Sequence, residues 1–275
     1  MRHEDADVWG LVDVDTETVQ PIRGGIEQWG PAAADGTADF EKVGRPLAMT
    51  DVRWLPPITP TSTIVGVGMN YWSHLEKLGV TERPKSTLGF LKPQVAIIGH
   101  GDTLANPAIT EQLDFEVELV VVMAESVSRV GGVPTDAVLG YTVGNDVSAR
   151  DAPAPMSGGL DLFSIKALGG TTPVGPWITT KDEFGGSGQI DVGISLRVNG
   201  EERQHDRTGK MIFSIDECLE YVVARMALTA GDIVFTGTTH GVGFEDGRYL
   251  EEGDVVEAEV EGVGVLRNVV GARST

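Results

Sequence analysis

A single cysteine, Cys218, rules out an intramolecular disulfide framework and any zinc cluster built from thiolates. No apolar run approaches the roughly 20 residues that a membrane span needs, and the first residues lack a charged segment followed by an apolar one. The expectation is a soluble, cytoplasmic protein with no membrane partner. Basic residues are scarce as well, with 21 Lys and Arg against 41 Asp and Glu and a formal net charge of -20. Such a surface repels the phosphates of nucleic acid and of anionic lipid, so no nucleic-acid partner is expected. An anionic small molecule would be captured only at a local positive centre, such as a divalent ion. Most of the acid excess reads as an ordinary solvated surface. Repeats, heptads and a phosphate-binding loop are missing too. The 275 residues then suffice for one large domain, alone or with a small appendage.

What the chain does contain centres on Asp114-Phe115-Glu116-Val117-Glu118-Leu119-Val120-Val121-Val122. Side chains alternate across a strand, which puts Glu116 and Glu118 on one face and Phe115, Val117 and Leu119 on the other. Two carboxylates on a mostly buried strand resist ionisation unless a cation lies between them. The pair reads as half of a metal site, or as a solvated strand face that carries acids. A second apolar run, Ala137 to Val143, ends in Gly144-Asn145-Asp146, where Asp146 is either a ligand or a turn residue. Phe163-Ser164-Ile165-Lys166-Ala167-Leu168 sets one lysine among apolar neighbours. Its ammonium needs an acidic partner, an anionic ligand or a path to water.

The remaining elements follow from local signals. Residues 1–57 read as a small N-terminal β domain, and the proline-rich connector Asp51 to Pro60 separates it from a main domain over 58–275. Gly66, Gly68 and Gly79 flank a short predicted helix that Ser73 and Glu76 would cap, with His74 in its first turn as a candidate acid or base. Asn199-Gly200 predicts a tight hairpin. Ser214 and Glu217 predict a capping box for a helix that carries Cys218 on its apolar stripe. Gly237 to Gly243 forms a loop rich in exposed N–H groups that can receive a carboxylate, and Val256–Val260 with Val263–Leu266 suggests an antiparallel pair.

Taken in order, Gly66 to His74, Asp114 to Val122, Gly140 to Asp151, Lys166 to Trp177, Arg197 to Ser214 and Leu228 to Gly243 make the sequence resemble the fumarylacetoacetate hydrolase family over most of residues 58–275. The resemblance implies a mixed β fold with few helices (α+β), a rolled mixed sheet that dimerises. It implies Glu116, Glu118 and Asp146 as ligands of Mg²⁺ or Mn²⁺, with Ca²⁺ also suited to three oxygen ligands. Lys166 resembles the family's substrate-binding lysine, and Thr238, with Gly237 beside it, its contact to the substrate carboxylate. The implied substrate is a small 2-oxo or 2,4-dioxo acid of the acylpyruvate type. C–C bond hydrolysis is the leading activity, with His74 and Lys166 catalytic. Isomerisation or tautomerisation, decarboxylation of an acid such as oxaloacetate, and simple binding of a chelated oxo acid stay open.

Two departures bear on the reaction. The family's smaller members often carry a glutamate three residues after the lid histidine, but here that residue is Lys77, and Glu76 is two residues on. Neighbours on a helix are three or four apart, so Glu76 does not face His74 on a helical lid. Pro153 stands where larger members place polar substrate contacts.

Overall fold

Valine and isoleucine dominate the apolar segments, and their branched side chains favour a pleated surface over a helix. In the computed structural model described here, these segments pair into sheets. The description covers the chain apart from residues 4–5, 78, 129–133, 153–158, 187–188 and 275. Pro153 therefore lies outside the described residues.

The N-terminal part forms β1 (Trp9–Asp13), β2 (Thr18–Ile22) and β3 (Leu47–Ala48), one antiparallel sheet. Between β2 and β3 runs α1 (Ile26–Ala34), a helix that the reading of this stretch as β did not anticipate. Next come β4 (Ile64–Gly68), α2 (Trp72–Lys77), β5 (Leu88–Lys92), β6 (Ile97–Ile98) and β7 (Thr103–Asn106). The middle of the chain supplies β8 (Val117–Met123), β9 (Val138–Asn145), α3 (Leu162–Lys166) and β10 (Thr172–Thr180). A hairpin of β11 (Gly193–Val198) and β12 (Glu201–Arg207) precedes α4 (Ile215–Val223) and β13 (Ile233–Thr238). The chain closes with α5 (Gly243–Asp246), β14 (Val255–Val260) and β15 (Gly264–Arg273).

Seven strands join in the order β5-β4-β13-β8-β9-β10-β6, and five in the order β12-β11-β14-β15-β7. Both sheets are mixed, because β4 with β13, β6 with β10 and β7 with β15 pair in parallel while their other neighbours are antiparallel. The fold is thus the mixed β structure with few, short helices that the family resemblance implied.

β8 occupies the middle of the larger sheet, and all seven of its residues are buried. Its odd positions, Val117, Leu119, Val121 and Met123, share a core with α4 and with the second sheet through Leu196, Val256 and Ala258. Its even positions Val120 and Val122 pack with Ile26 and Ala33 of α1, Leu139 and Phe235. Each such valine or leucine contributes about 1.5–3 kcal/mol on full burial. Because α1 shares this second core, a domain boundary near residue 57 stands as a proposal about chain segments.

Two local signals are realised directly. Asn199 and Gly200 take φ of 52° and 80°, as a type I′ turn requires, and Ser214 and Glu217 complete a reciprocal capping box. Cys218 is buried, and desolvation pushes its thiol up to about 12, so it packs as a small core residue. The expected Ser73 cap is not found. The helix begins at Trp72, and the Ser73 hydroxyl instead donates to Asp206 Oδ2 at 2.8 Å.

Candidate metal and catalytic site

The site forms where β8 begins and β9 ends. Val117 lies opposite Asn145 in the ladder, and the chain crosses once more beyond it, with Asp146 N–H donating to the Glu116 carbonyl at 2.9 Å. Glu116 N–H in turn donates to Asn145 Oδ1 at 2.8 Å. These bonds carry Asp146 to the side of the two glutamates. One carboxylate oxygen from each of Glu116, Glu118 and Asp146 lies within 4.8 Å of the others, and all three residues are buried.

Two lysines and an arginine surround them. Lys166, at the end of α3, donates to Glu116 Oε2 and to Asp146 Oδ2, each at 2.6 Å. Lys92, at the end of β5, reaches Asp146 Oδ1 at 2.5 Å. Arg150 bridges Glu116 and Asp114, its Nε lying 2.7 Å from Asp114 Oδ2. Burial alone would push Glu116 up, but the charges of Lys166 and Arg150 outweigh it and hold the carboxyl at about 2. Glu118 is driven the other way, first by burial and then by the repulsion of Asp146 and Glu116. Gly237 N–H donates to its Oε2 at 2.7 Å, yet no lysine or arginine pairs with it among the described residues. Four buried carboxyls face three cations, and Glu118 is the one left without a counter-charge.

That shortfall is the structural test of the metal expectation, and the residues fit. The donors are carboxylate oxygens, the hard ligands that Mg²⁺, Mn²⁺ or Ca²⁺ take, and the acid without a counter-charge lies within the triad itself.

Beside the triad stands His74, in α2. Its Nδ1 is 3.5 Å from Glu245 Oε1, an ion-pair distance too long for a good hydrogen bond, and both atoms are buried without a hydrogen-bonding partner. His74 also acts electrostatically on Glu116, so the pair lies within reach of the triad. Burial pushes Glu245 up, but His74 and the Gly241 N–H, which donates to Oε2 at 3.0 Å, prevail and keep it below its usual value. Tyr71 adds a third buried atom without a partner, its hydroxyl, whose pKa is raised well above its ordinary value by desolvation and then by Glu118. Orphaned buried polar groups carry a cost that water or a ligand would relieve.

The elements that hold this pair are tied down. Asn70, fully buried, donates to Thr236 O at 2.7 Å and accepts from Phe213 N–H at 2.7 Å, which anchors the entry to α2. Asp114 accepts from the N–H groups of Gly243 and Phe244 at 2.6 and 3.1 Å, and so fixes α5, which carries Glu245.

Gly237 and Thr238 lie at the end of β13, against β8. Gly237 has φ of 99°, and a Cβ there would fall 2.7 Å from Asn70 Cβ, so glycine is required both by conformation and by space. The Thr238 hydroxyl donates to Val117 O at 2.9 Å and accepts from Gln204 Nε2 at 2.9 Å. Its hydrogen is thus engaged in holding β8.

The structure therefore brings Glu116, Glu118, Asp146, Lys166, His74 and Gly237 to one place, with Thr238 behind them. Lys92, Arg150 and Glu245 were not singled out in the sequence. Lys92 sits in the apolar stretch Gly89-Phe90-Leu91-Lys92-Pro93, where a lysine among strand residues was the available signal. Glu245 had none, since its place depends on Asp114 far away in the chain.

Comparison with known proteins places the chain in a family. Residues 63–271 match the family described as fumarylacetoacetate (FAA) hydrolase C-terminal. An uncharacterized protein of Archaeoglobus fulgidus is 39% identical over 226 residues, which span 82% of this chain and 84% of that protein. A Mycobacterium tuberculosis protein is 39% identical over 238 residues, 86% of this chain and 84% of its own. Among solved structures, the 5-carboxymethyl-2-hydroxymuconate delta-isomerase of Mycobacterium smegmatis superposes with a TM-score of 0.76 at 31% identity, covering 98% of this chain and 95% of that one. The fumarylacetoacetate hydrolase of psychrophilic Exiguobacterium antarcticum does so with a TM-score of 0.73 at 29% identity, covering 97% and 99%. With the family match running from β4 into β15 and the carboxylate cluster inside it, this chain belongs to the fumarylacetoacetate hydrolase family.

Proposed function

We propose that the protein is a divalent-metal-dependent enzyme that hydrolyses a C–C bond of a 2,4-dioxo acid of the acylpyruvate type. The observation that carries hydrolysis is the His74–Glu245 pair, because breaking such a bond needs a water activated by a general base, and tautomerisation does not. Glu116, Glu118 and Asp146 would hold the ion, Mg²⁺ or Mn²⁺. Bound there, it would act as a Lewis acid on the adjacent oxygens of the oxo acid.

The residues of the chain supply the rest. His74 accepts a proton from water, and Glu245 stabilises the imidazolium that results. The hydroxide adds to the distal carbonyl carbon. The C–C bond then breaks, and its electron pair stays with the fragment that becomes the 2-oxo acid. Lys166, whose ammonium is held by Glu116 and Asp146, would exchange one of those bonds for the negative charge that develops on that fragment's oxygen. Protonation of the carbanion by the imidazolium completes the balance.

Acylpyruvates, oxaloacetate and ring-cleavage dioxo acids, each tested with Mg²⁺ and Mn²⁺ and followed by enol absorbance and by product, distinguish hydrolysis from its alternatives. Acylpyruvate cleavage to a carboxylic acid and pyruvate is the expected result. Enol–keto conversion alone, without cleavage, would establish isomerisation instead. A homodimer belongs to the same proposal, and light scattering should report twice the 29.2 kDa chain mass.

A further inference from the structure

The counter-charges of the site point to a residue that the proposed chemistry leaves without a part. Lys92 is one of two lysines on Asp146, and its side chain has no exposed surface. Its ammonium lies 2.5 Å from Asp146 Oδ1, while Lys166 takes Oδ2 at 2.6 Å. Lys92 pairs with Ile64 in the ladder and is followed by Pro93, so the end of its strand is set by the backbone. An ammonium buried this deeply is costly and persists only where paired. Asp146, however, already has Lys166. A second ammonium on the same carboxylate repels an incoming dication, so its presence calls for an account other than metal affinity.

We propose that Lys92 is a positioning residue that holds one oxygen of Asp146, keeps the other turned toward Lys166 and the centre, and sets the charge of the loaded site. The inference rests on the metal reading of Glu116, Glu118 and Asp146. With Lys92 present, four carboxylates, three cationic side chains and a divalent ion leave the buried cluster with one net positive charge, complementary to an anionic substrate. Without it the loaded cluster is neutral. Lys92 therefore works against metal affinity and in favour of anion affinity. In a chain of net charge -20, a local positive centre is what admits an oxo acid.

The two effects have opposite signs, which separates this role from simple structural support. Metal-stripped protein is titrated calorimetrically with Mn²⁺, and Mn²⁺-loaded protein is then titrated with oxalate as a chelating anion. Lys92→Met and Lys92→Gln, neutral side chains of similar reach, are expected to bind Mn²⁺ on the order of tenfold more tightly and oxalate on the order of tenfold more weakly than the parent. Lys92→Arg, which restores the charge, is expected to return both affinities toward parental values, and it decides the matter if the neutral variants do not fold. Mn²⁺ binding that weakens in both neutral variants, or an arginine variant in which both affinities collapse, would overturn the proposal. A parent protein that binds no Mn²⁺ would overturn the metal reading and this inference with it. A parent that binds Mn²⁺ with neutral variants of unchanged affinity would remove only the role of Lys92.

Discussion

Replacing Glu116 and Glu118 together by glutamine is expected to abolish binding of Mg²⁺ and Mn²⁺, and turnover with it, while the strand stays paired. Two of the three carboxylates that converge within 4.8 Å are then gone, and Asp146 alone, shared by Lys92 and Lys166, does not hold a dication. The fold survives because the ladder of β8 is backbone-made, and because glutamine at 118 can still accept from Gly237 N–H. The single variants separate in metal-stripped protein. Glu116→Gln should cost about 3–5 kcal/mol, since it deprives buried Lys166 and Arg150 of their shared anion. Glu118→Gln should be neutral or stabilising, since it removes the carboxylate that has no cation and is repelled by its neighbours. Denaturant unfolding measures both differences, and the rise in Tm that Mn²⁺ gives the parent should be missing from each. Undiminished Mn²⁺ affinity in the double variant would sink the assignment of these ligands.

Loss of the His74–Glu245 pair is expected to depress hydrolytic kcat on the order of 10²–10⁴-fold, the usual range for positioned proton transfer. His74→Ala removes the base. Glu245→Gln keeps the shape of the side chain but not the charge that stabilises the imidazolium, and so should reproduce most of the loss. Metal affinity should hardly change in either variant, because the ion's ligands come from β8, its entry and the turn after β9. Lys77→Glu gives a useful contrast. On sequence grounds it would restore an acid three residues after His74, but Glu245 already fills that place from a distant part of the chain, so this substitution should leave the rate unchanged. Acylpyruvate cleavage that persists at the parental rate in both His74→Ala and Glu245→Gln would remove the pair from the mechanism. A large gain from Lys77→Glu would show that Glu245 is not the working partner.

The sequence determined by itself what is local. Alternation along Asp114 to Val122 put Glu116 and Glu118 on one face, and in the fold Val117 and Leu119 indeed face the core on the opposite side. Turn and cap chemistry at Asn199-Gly200 and at Ser214/Glu217 was legible for the same reason, since each depends on residues at most three positions apart. The acidic strand is not continuous in the fold. A short pairing of Leu113–Asp114 with Ser148–Ala149 precedes a separate strand from Val117. What only the tertiary structure decided is the set of charges around the triad. Arg150 reaches Glu116 and Asp114 across more than 30 residues, Lys92 reaches Asp146 across 54, and Glu245 reaches His74 because Asp114 anchors its helix. Periodicity reports which face of an element a side chain takes, and it is silent on which distant element that face will meet. Strand register and buried charge pairing settle that question, and both come into being only when the sheet closes.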